Sequence, residues 1–154
     1  YSLSQHIGAP SVPCVNKGDR VLAGQKIAEA NGFVSVPLHA SVSGTVKGFE
    51  KRLTAAGSIG GFHYHRKRTS SMKRRGFQAA ELSELSKEEI IARIREGGVV
   101  GMGGAGFPTH VKLSPKEPDK IEYVLVNGAE CEPYLTSDYR RMLEEPDRSL
   151  RVLR

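Results

Sequence analysis

Gly101, Gly103, Gly104 and Gly106 fall within six positions, and Phe107, Pro108, Thr109 and Lys112 follow at once. Such a loop lets the backbone approach a ligand with no Cβ in the way, and its exposed N–H groups form a concave anion site. Lys112 adds a point charge, and Phe107 an apolar wall for a planar ring. Taken alone, a glycine-rich loop is equally an ordinary connector. Its sequel strengthens it: Ile121–Asn127 reads as a buried strand, and a turn carrying Glu130 and Glu132 follows. Crevices at the carboxyl ends of strands are where α/β proteins bind nucleotides. Glu130 and Glu132 lie two apart, so extended backbone points them the same way. The plainer reading is a pair of solvated turn carboxylates.

The elements that must position these residues are legible in outline. Ser86 with Glu89 three residues later is a capping box, and Ile90, Ile91 and Ile94 form one apolar stripe. Gly97 and Gly98 close that helix. The glycine loop therefore follows a helix, not a strand, which excludes the strand–loop–helix order of a Rossmann fingerprint. Lys112 lacks the Gly-Lys-Ser/Thr context of a P-loop. If Thr109–Leu113 opens a second helix, its N-terminus would favour a phosphate. Thr136, Ser137 or Asp138 caps a last helix through Met142 and Leu143.

Residues 1–52 read as short strands and turns. Val15–Ala28 alternates apolar residues around two Gly-centred turns, and His39–Val46 repeats the habit. The pattern Gly18-Asp-x-Val-x-x-Gly-Gln25, with Ser43-Gly-x-Val46 downstream, resembles biotinyl/lipoyl-type barrel-sandwich domains. Those carriers present a modified lysine on a hairpin between their two halves. The interval Glu29–His39 contains no lysine. The scaffold is expected; the carrier function is not.

Taken together, Gly101–Leu113 and Asn127–Asp138 resemble the C subunit of the Rnf/Rsx electron-transport complex. Gln5-His-Ile-Gly-Ala-Pro10 and His39-Ala-Ser-Val-Ser-Gly44 belong to the same resemblance, which covers about two-thirds of the chain. More distantly, the central loop is similar to the flavin-binding loop of the flavoprotein subunit of respiratory complex I. The resemblance implies a mixed α/β chain: an N-terminal barrel-sandwich hybrid over 1–52, a basic atypical linker over 53–85, and the start of an FMN/NADH-binding domain over 86–154. It implies electron transfer of the ferredoxin:NAD(+) oxidoreductase type in an ion-translocating membrane complex. FMN and NAD(H) are the implied cofactors, and ferredoxin and the other subunits the implied partners. The implied place is peripheral, on the cytoplasmic face of the cell membrane. Gly101, Gly103, Gly104, Gly106, Phe107 and Lys112 would hold the flavin and admit nicotinamide. Asn127 and Glu130 would face the flavin ring, and Glu132 would accept hydrogen bonds from ribose hydroxyls. Met102 stands where the complex I loop usually has an arginine, and Ala129 where it has an aspartate. A non-catalytic assembly module is the alternative, and a basic RNA-binding fragment a weaker third.

Composition narrows the choice. The net charge of +6 suggests nucleic acid until it is located. Arg66, Lys67, Arg68, Lys73, Arg74 and Arg75 lie in 57–80, a stretch with no acidic residue; the rest of the chain is neutral. Few side chains there, Phe62, Tyr64 and Phe77, would stack on bases, so no nucleic-acid partner is expected. The basic stretch is either a genuine loop or a compensated frameshift: the codons of His63-Tyr-His-Arg-Lys-Arg68, read one nucleotide later, can spell Ile-Ile-Ile-Glu-Asn. Cys14 and Cys131 are the only cysteines, far apart, and are expected as reduced thiols. Two thiols cannot hold an iron–sulfur cluster, so the family's 4Fe-4S ligands are expected beyond this chain. His6, His39 and His110 are scattered singles and read as structural, and no metal ligand or catalytic residue is assigned. No apolar run approaches the length of a membrane span, and the start at Tyr1 reads as a fragment or processed chain.

Overall fold

The alternating N-terminal pattern folds into two short antiparallel sheets. β1 (Val12–Pro13), β3 (Lys26–Glu29) and β4 (Leu38–His39) pair in the order β1-β3-β4. β2 (Arg20–Val21), β5 (Gly44–Thr54) and β6 (Gly57–His65) pair in the order β2-β5-β6. This computed structural model describes residues 1–54, 57–65, 76, 78–102 and 104–151. The chain divides into two compact units, Tyr1–Pro115 and Lys116–Arg154.

In the first unit the inward positions of the pattern form the core. Val15, Val21, Ile27, Ala28, Leu38, Ala40 and Val46 make one buried cluster, with Tyr1 and Leu3 against it. Each fully buried valine or isoleucine contributes about 1.5–3 kcal/mol. The two predicted turns are one construction used twice. Asn16 N–H donates to Asp19 Oδ2 at 2.7 Å, and Leu22 N–H to Gln25 Oε1 at 3.0 Å. Gly18 N–H then donates to Val46 O on β5 (2.8 Å) and Gly24 N–H to Ala40 O just past β4 (2.7 Å), so each turn is clasped by a later segment. The Gly-Asp and Gly-Gln pairs thus serve turn chemistry.

Part of the stretch read as a linker is strand: β6 pairs with β5 from Thr45↔His65 to Thr54↔Gly57, with a bulge near Val46. Ile59, Phe62 and Tyr64 suit a ladder, and the strand's three glycines and the basic run that begins at Arg66 hid that signal. Arg66, Lys67, Arg68, Lys73, Arg74, Arg75 and Phe77 lie outside the described residues.

Helix α1 (Lys87–Glu96) forms as read. Ser86 Oγ accepts from Glu89 N–H at 3.2 Å, and Glu89 Oε2 accepts from Ser86 N–H at 2.8 Å. These bonds hold the Glu89 carboxyl below the usual carboxylate range. Ile90, Ile91 and Ile94 are half-buried, and Gly97 caps the C-terminus. Lys26 on β3 reaches Glu96 at 2.7 Å and Glu29 at 3.1 Å, tying the end of α1 to the sheet.

The second unit departs from expectation. Ile121–Asn127 pairs with no strand among the described residues. Tyr123, Val124, Leu125 and Val126 are exposed, so the apolar run has neither ladder nor cover. Apolar content predicts a strand only where a neighbouring strand supplies hydrogen bonds and packing. Helix α3 (Ser137–Glu144) forms where expected, and α4 (Pro146–Arg151) follows it. Thr136 is the N-cap residue, but its side chain makes no capping bond. Glu130 does that work.

Candidate functional site

The glycine loop has a closed neck and an open tip. Gly101 N–H donates to Phe107 O at 2.9 Å, Thr109 N–H donates to Val99 O at 3.0 Å, and Val100 and Pro108 form an antiparallel bridge between them. Beyond this clasp Met102, Gly104 and Ala105 are exposed. Among the described residues their N–H groups donate to no protein acceptor. Backbone donors gathered at an exposed tip suit an anion.

The glycines of this loop are required for different reasons. Gly106 has φ +64°, and a Cβ there would sit 2.8 Å from Gln5 O and 3.0 Å from His6 Cα. Packing and conformation of the chain itself demand that glycine. At Gly104 a Cβ would meet nothing within 4 Å and φ is not positive, so nothing in the chain calls for glycine. At Gly101 a Cβ would lie 3.3 Å from Lys112 Nζ. Gly103 lies outside the described residues.

Lys112 and Phe107 sit together, with Nζ 5.9 Å from the ring centroid. Among the described residues Lys112 makes no ion pair, so its charge is available to an anion beside an exposed aromatic face. One expectation is corrected. α2 (Thr109–Lys112) is a single turn, and its first N–H is spent on Val99 O in the neck. The N–H groups without a protein acceptor lie in the loop, not at a helix N-terminus. These residues fit a phosphate-bearing planar group: free N–H donors, an unhindered glycine, a cation and a ring.

The second unit carries the other predicted residues. Asn127 Oδ1 accepts from Ala129 N–H at 2.9 Å, an Asx turn that leaves its NH2 as donor. Glu130 is hydrogen-bonded to the start of the following helix. Its Oε1 accepts from Asp138 N–H (2.8 Å) and Tyr139 N–H (3.0 Å), and its Oε2 from Ser137 Oγ (3.3 Å). It fills orphan donors at the start of α3, where the helix dipole favours a carboxylate. The exposed Glu132 carboxylate has no partner among the described residues. Alternation was thus a poor guide to this pair: one glutamate caps a helix and one is free.

His6 and His110 are buried and His39 half-buried. Cys14 and Cys131 are exposed, free thiols. Among the described residues no three His, Cys, Asp or Glu side chains gather as a metal site. Sequence reasoning missed what holds the loop: Ile7 N–H donates to Ala105 O at 2.9 Å, a contact across the chain with no sequence periodicity to announce it.

Fold and site together define a barrel-sandwich module joined to a flavoprotein-type glycine loop. Residues 1–73 match the RnfC barrel sandwich hybrid domain, and residues 94–154 match the Nuo51 FMN-binding domain. The chain is 42% identical over 154 residues to the C subunit of the Na(+)-translocating ferredoxin:NAD(+) oxidoreductase complex of Acetobacterium woodii, covering 95% of this chain and 33% of that protein. It is 44% identical over 145 residues to the C subunit of the proton-translocating ferredoxin:NAD(+) oxidoreductase complex of Clostridium ljungdahlii, covering 94% and 32%. Against the C subunit of the ion-translocating oxidoreductase complex of Citrobacter koseri it is 44% identical over 144 residues, covering 91% and 20%. Over nearly its whole length the chain is similar to Rnf-type C subunits. It spans a third or less of the length of these curated relatives.

Proposed function

We propose that this chain is the part of an Rnf-type C subunit that seats FMN and receives nicotinamide, so that the assembled complex transfers electrons between ferredoxin and NAD(+). The observation that carries this is the glycine loop, clasped at its neck and open at its tip, with free N–H donors and an unhindered Gly104. The match of residues 94–154 to an FMN-binding domain favours flavin over other anions. The relatives' names supply ferredoxin and NAD(+) as the class of redox partners.

FMN, when bound, supplies the exchange between hydride and single electrons; the protein supplies position and charge. The N–H groups of Met102, Gly104 and Ala105 hold phosphate oxygens. Gly101 and Gly103 keep the same loop free of side chains, and Gly106 lets it pack on the N-terminal segment. Lys112 balances the phosphate charge, and Phe107 walls the ring. By the family resemblance Asn127 would offer its free NH2 to the ring's polar edge, and Glu132 would accept from ribose hydroxyls. Glu130 shapes the turn that presents both.

The family's 4Fe-4S clusters are assigned to other parts of the protein, since Cys14 and Cys131 cannot supply four thiolates. No helix among the described residues is long and apolar enough to cross a membrane. We assign the chain a peripheral place on the cytoplasmic face, against the other subunits. The test is the visible spectrum of the protein at the full length of its relatives. Retained FMN absorbance that NADH bleaches is expected. A colourless protein that binds neither ligand would leave the assembly-module reading in its place.

A further inference from the structure

The hairpin Glu29–His39 stands where carrier domains of this architecture present a modified lysine, yet it contains none. Its backbone is used instead on the elements around the glycine loop. Gly32 O accepts from the Arg95 guanidinium on α1 at 3.1 Å, and Phe33 O accepts from His110 Nε2 on α2 at 2.8 Å. Val34 O accepts from Ala9 N–H at 3.2 Å, and Val36 N–H donates to His6 Nε2 at 3.4 Å. His6 Nδ1 donates to Ile7 O at 3.0 Å, and Ile7 N–H reaches the loop tip at Ala105 O. One hairpin is thereby tied to the helix before the loop, the helix after it, and the segment that grips its tip.

The two histidines fit this role better than a packing role. A carbonyl only accepts, so His110 carries its proton on Nε2, and Nδ1 is a bare acceptor. That Nδ1 is buried and has no partner among the described residues. An orphaned buried acceptor is destabilising. An apolar side chain would fill the space with less loss, so the bond to Phe33 is what the histidine adds.

We propose that the hairpin is a splint that preforms the glycine loop for its ligand, with His6 and His110 as positioning residues. The proposal rests on the flavin reading of that loop. A loop held in its bound shape avoids the ordering cost on binding, so slackening it weakens affinity without unfolding the protein.

The test uses the full-length protein, FMN titration, and amide hydrogen exchange across 100–108. Ile7→Pro deletes the N–H that grips Ala105, whereas Ile7→Ala keeps it. His110→Leu deletes the Phe33 bond and the orphaned nitrogen together, whereas His110→Gln keeps an N–H donor. Ile7→Pro and His110→Leu should each raise the FMN Kd about tenfold. They should speed exchange in the loop while melting temperature stays near the parent's. Ile7→Ala and His110→Gln should behave like the parent. If Ile7→Pro does not fold, the His110 pair decides. Unchanged loop exchange overturns the splint, as does faster exchange with unchanged FMN affinity. Affinity that merely tracks melting temperature, with no rescue by glutamine, also overturns it. A parent protein that binds no FMN would instead sink the flavin reading, and loop exchange would then decide the splint alone.

Discussion

At the scale of residues, the two glutamates of the 128–133 turn divide their labour. Glu130 spends its carboxylate on the first N–H groups of α3, while Glu132 remains exposed and unpartnered among the described residues. With no protein partner, Glu132 is the better placed of the two to accept from ribose hydroxyls. Glu132→Gln keeps the shape and one acceptor but removes the charge that strengthens bonds to hydroxyls. In the full-length protein NADH affinity should fall about tenfold, close to 1.4 kcal/mol, by fluorescence titration. Melting temperature and flavin content should hold, because an exposed turn carboxylate contributes little to folding. A collapse in melting temperature with NADH affinity kept would make Glu132 structural. The sequence offered both glutamates on equal terms. Nothing in a two-residue spacing reveals which of them a helix eight residues downstream will claim.

At the scale of elements, local rules read well where the chemistry is local. The capping box Ser86–Glu89 and the clasped turns at Gly18 and Gly24 are set by residues within three positions of one another. Ser86→Ala should cost about 1 kcal/mol, as loss of an N-cap usually does, measured by chemical denaturation. Glu89 shares the effect through pH. Its folded carboxyl titrates below its unfolded one, so its contribution is complete above the unfolded value of about 4.5 and lost as pH falls through the folded value. In Ser86→Ala that acid-side slope should flatten; an unchanged slope would detach Glu89 from the cap. Where the outcome depends on distant partners, the same rules failed. Ile121–Val126 has strand composition, yet no strand pairs with it among the described residues. Ladder bonds belong to two segments, and a pattern in one of them cannot supply the other.

At the scale of the molecule, the first unit ties its sheet to the helix that precedes the glycine loop. Lys26 joins β3 to the last residue of α1, and beside them Cys14, Gly24, Gln25, His39 and Gly76 help line a polar pocket of about 330 Å³. Burial pulls the His39 imidazole below its ordinary value; Glu96 opposes this, Lys26 adds to it, and Glu29 opposes it. The unfolded chain therefore binds this proton first. Stability from His39 is complete above the unfolded value of about 6.5 and declines as pH falls through it. Melting temperature should drop between roughly pH 7 and pH 5, and His39→Gln should flatten that drop. A parallel drop in the variant would assign the effect to other groups. The histidines' structural character was legible from their scatter along the sequence. Their work was not, because the bonds from His6 to Val36 and from His110 to Phe33 span 30 and 77 positions.

Whether the open tip of the glycine loop receives the flavin is best asked at Gly104. A side chain there meets nothing in the protein itself, so Gly104→Val should leave folding intact and obstruct only what approaches from outside. The measurement is a visible-absorbance titration of the full-length protein with FMN, alongside its thermal melt. An unchanged melt with loss of FMN binding is the expected result. Unchanged FMN affinity in the valine variant would instead remove the loop from the site.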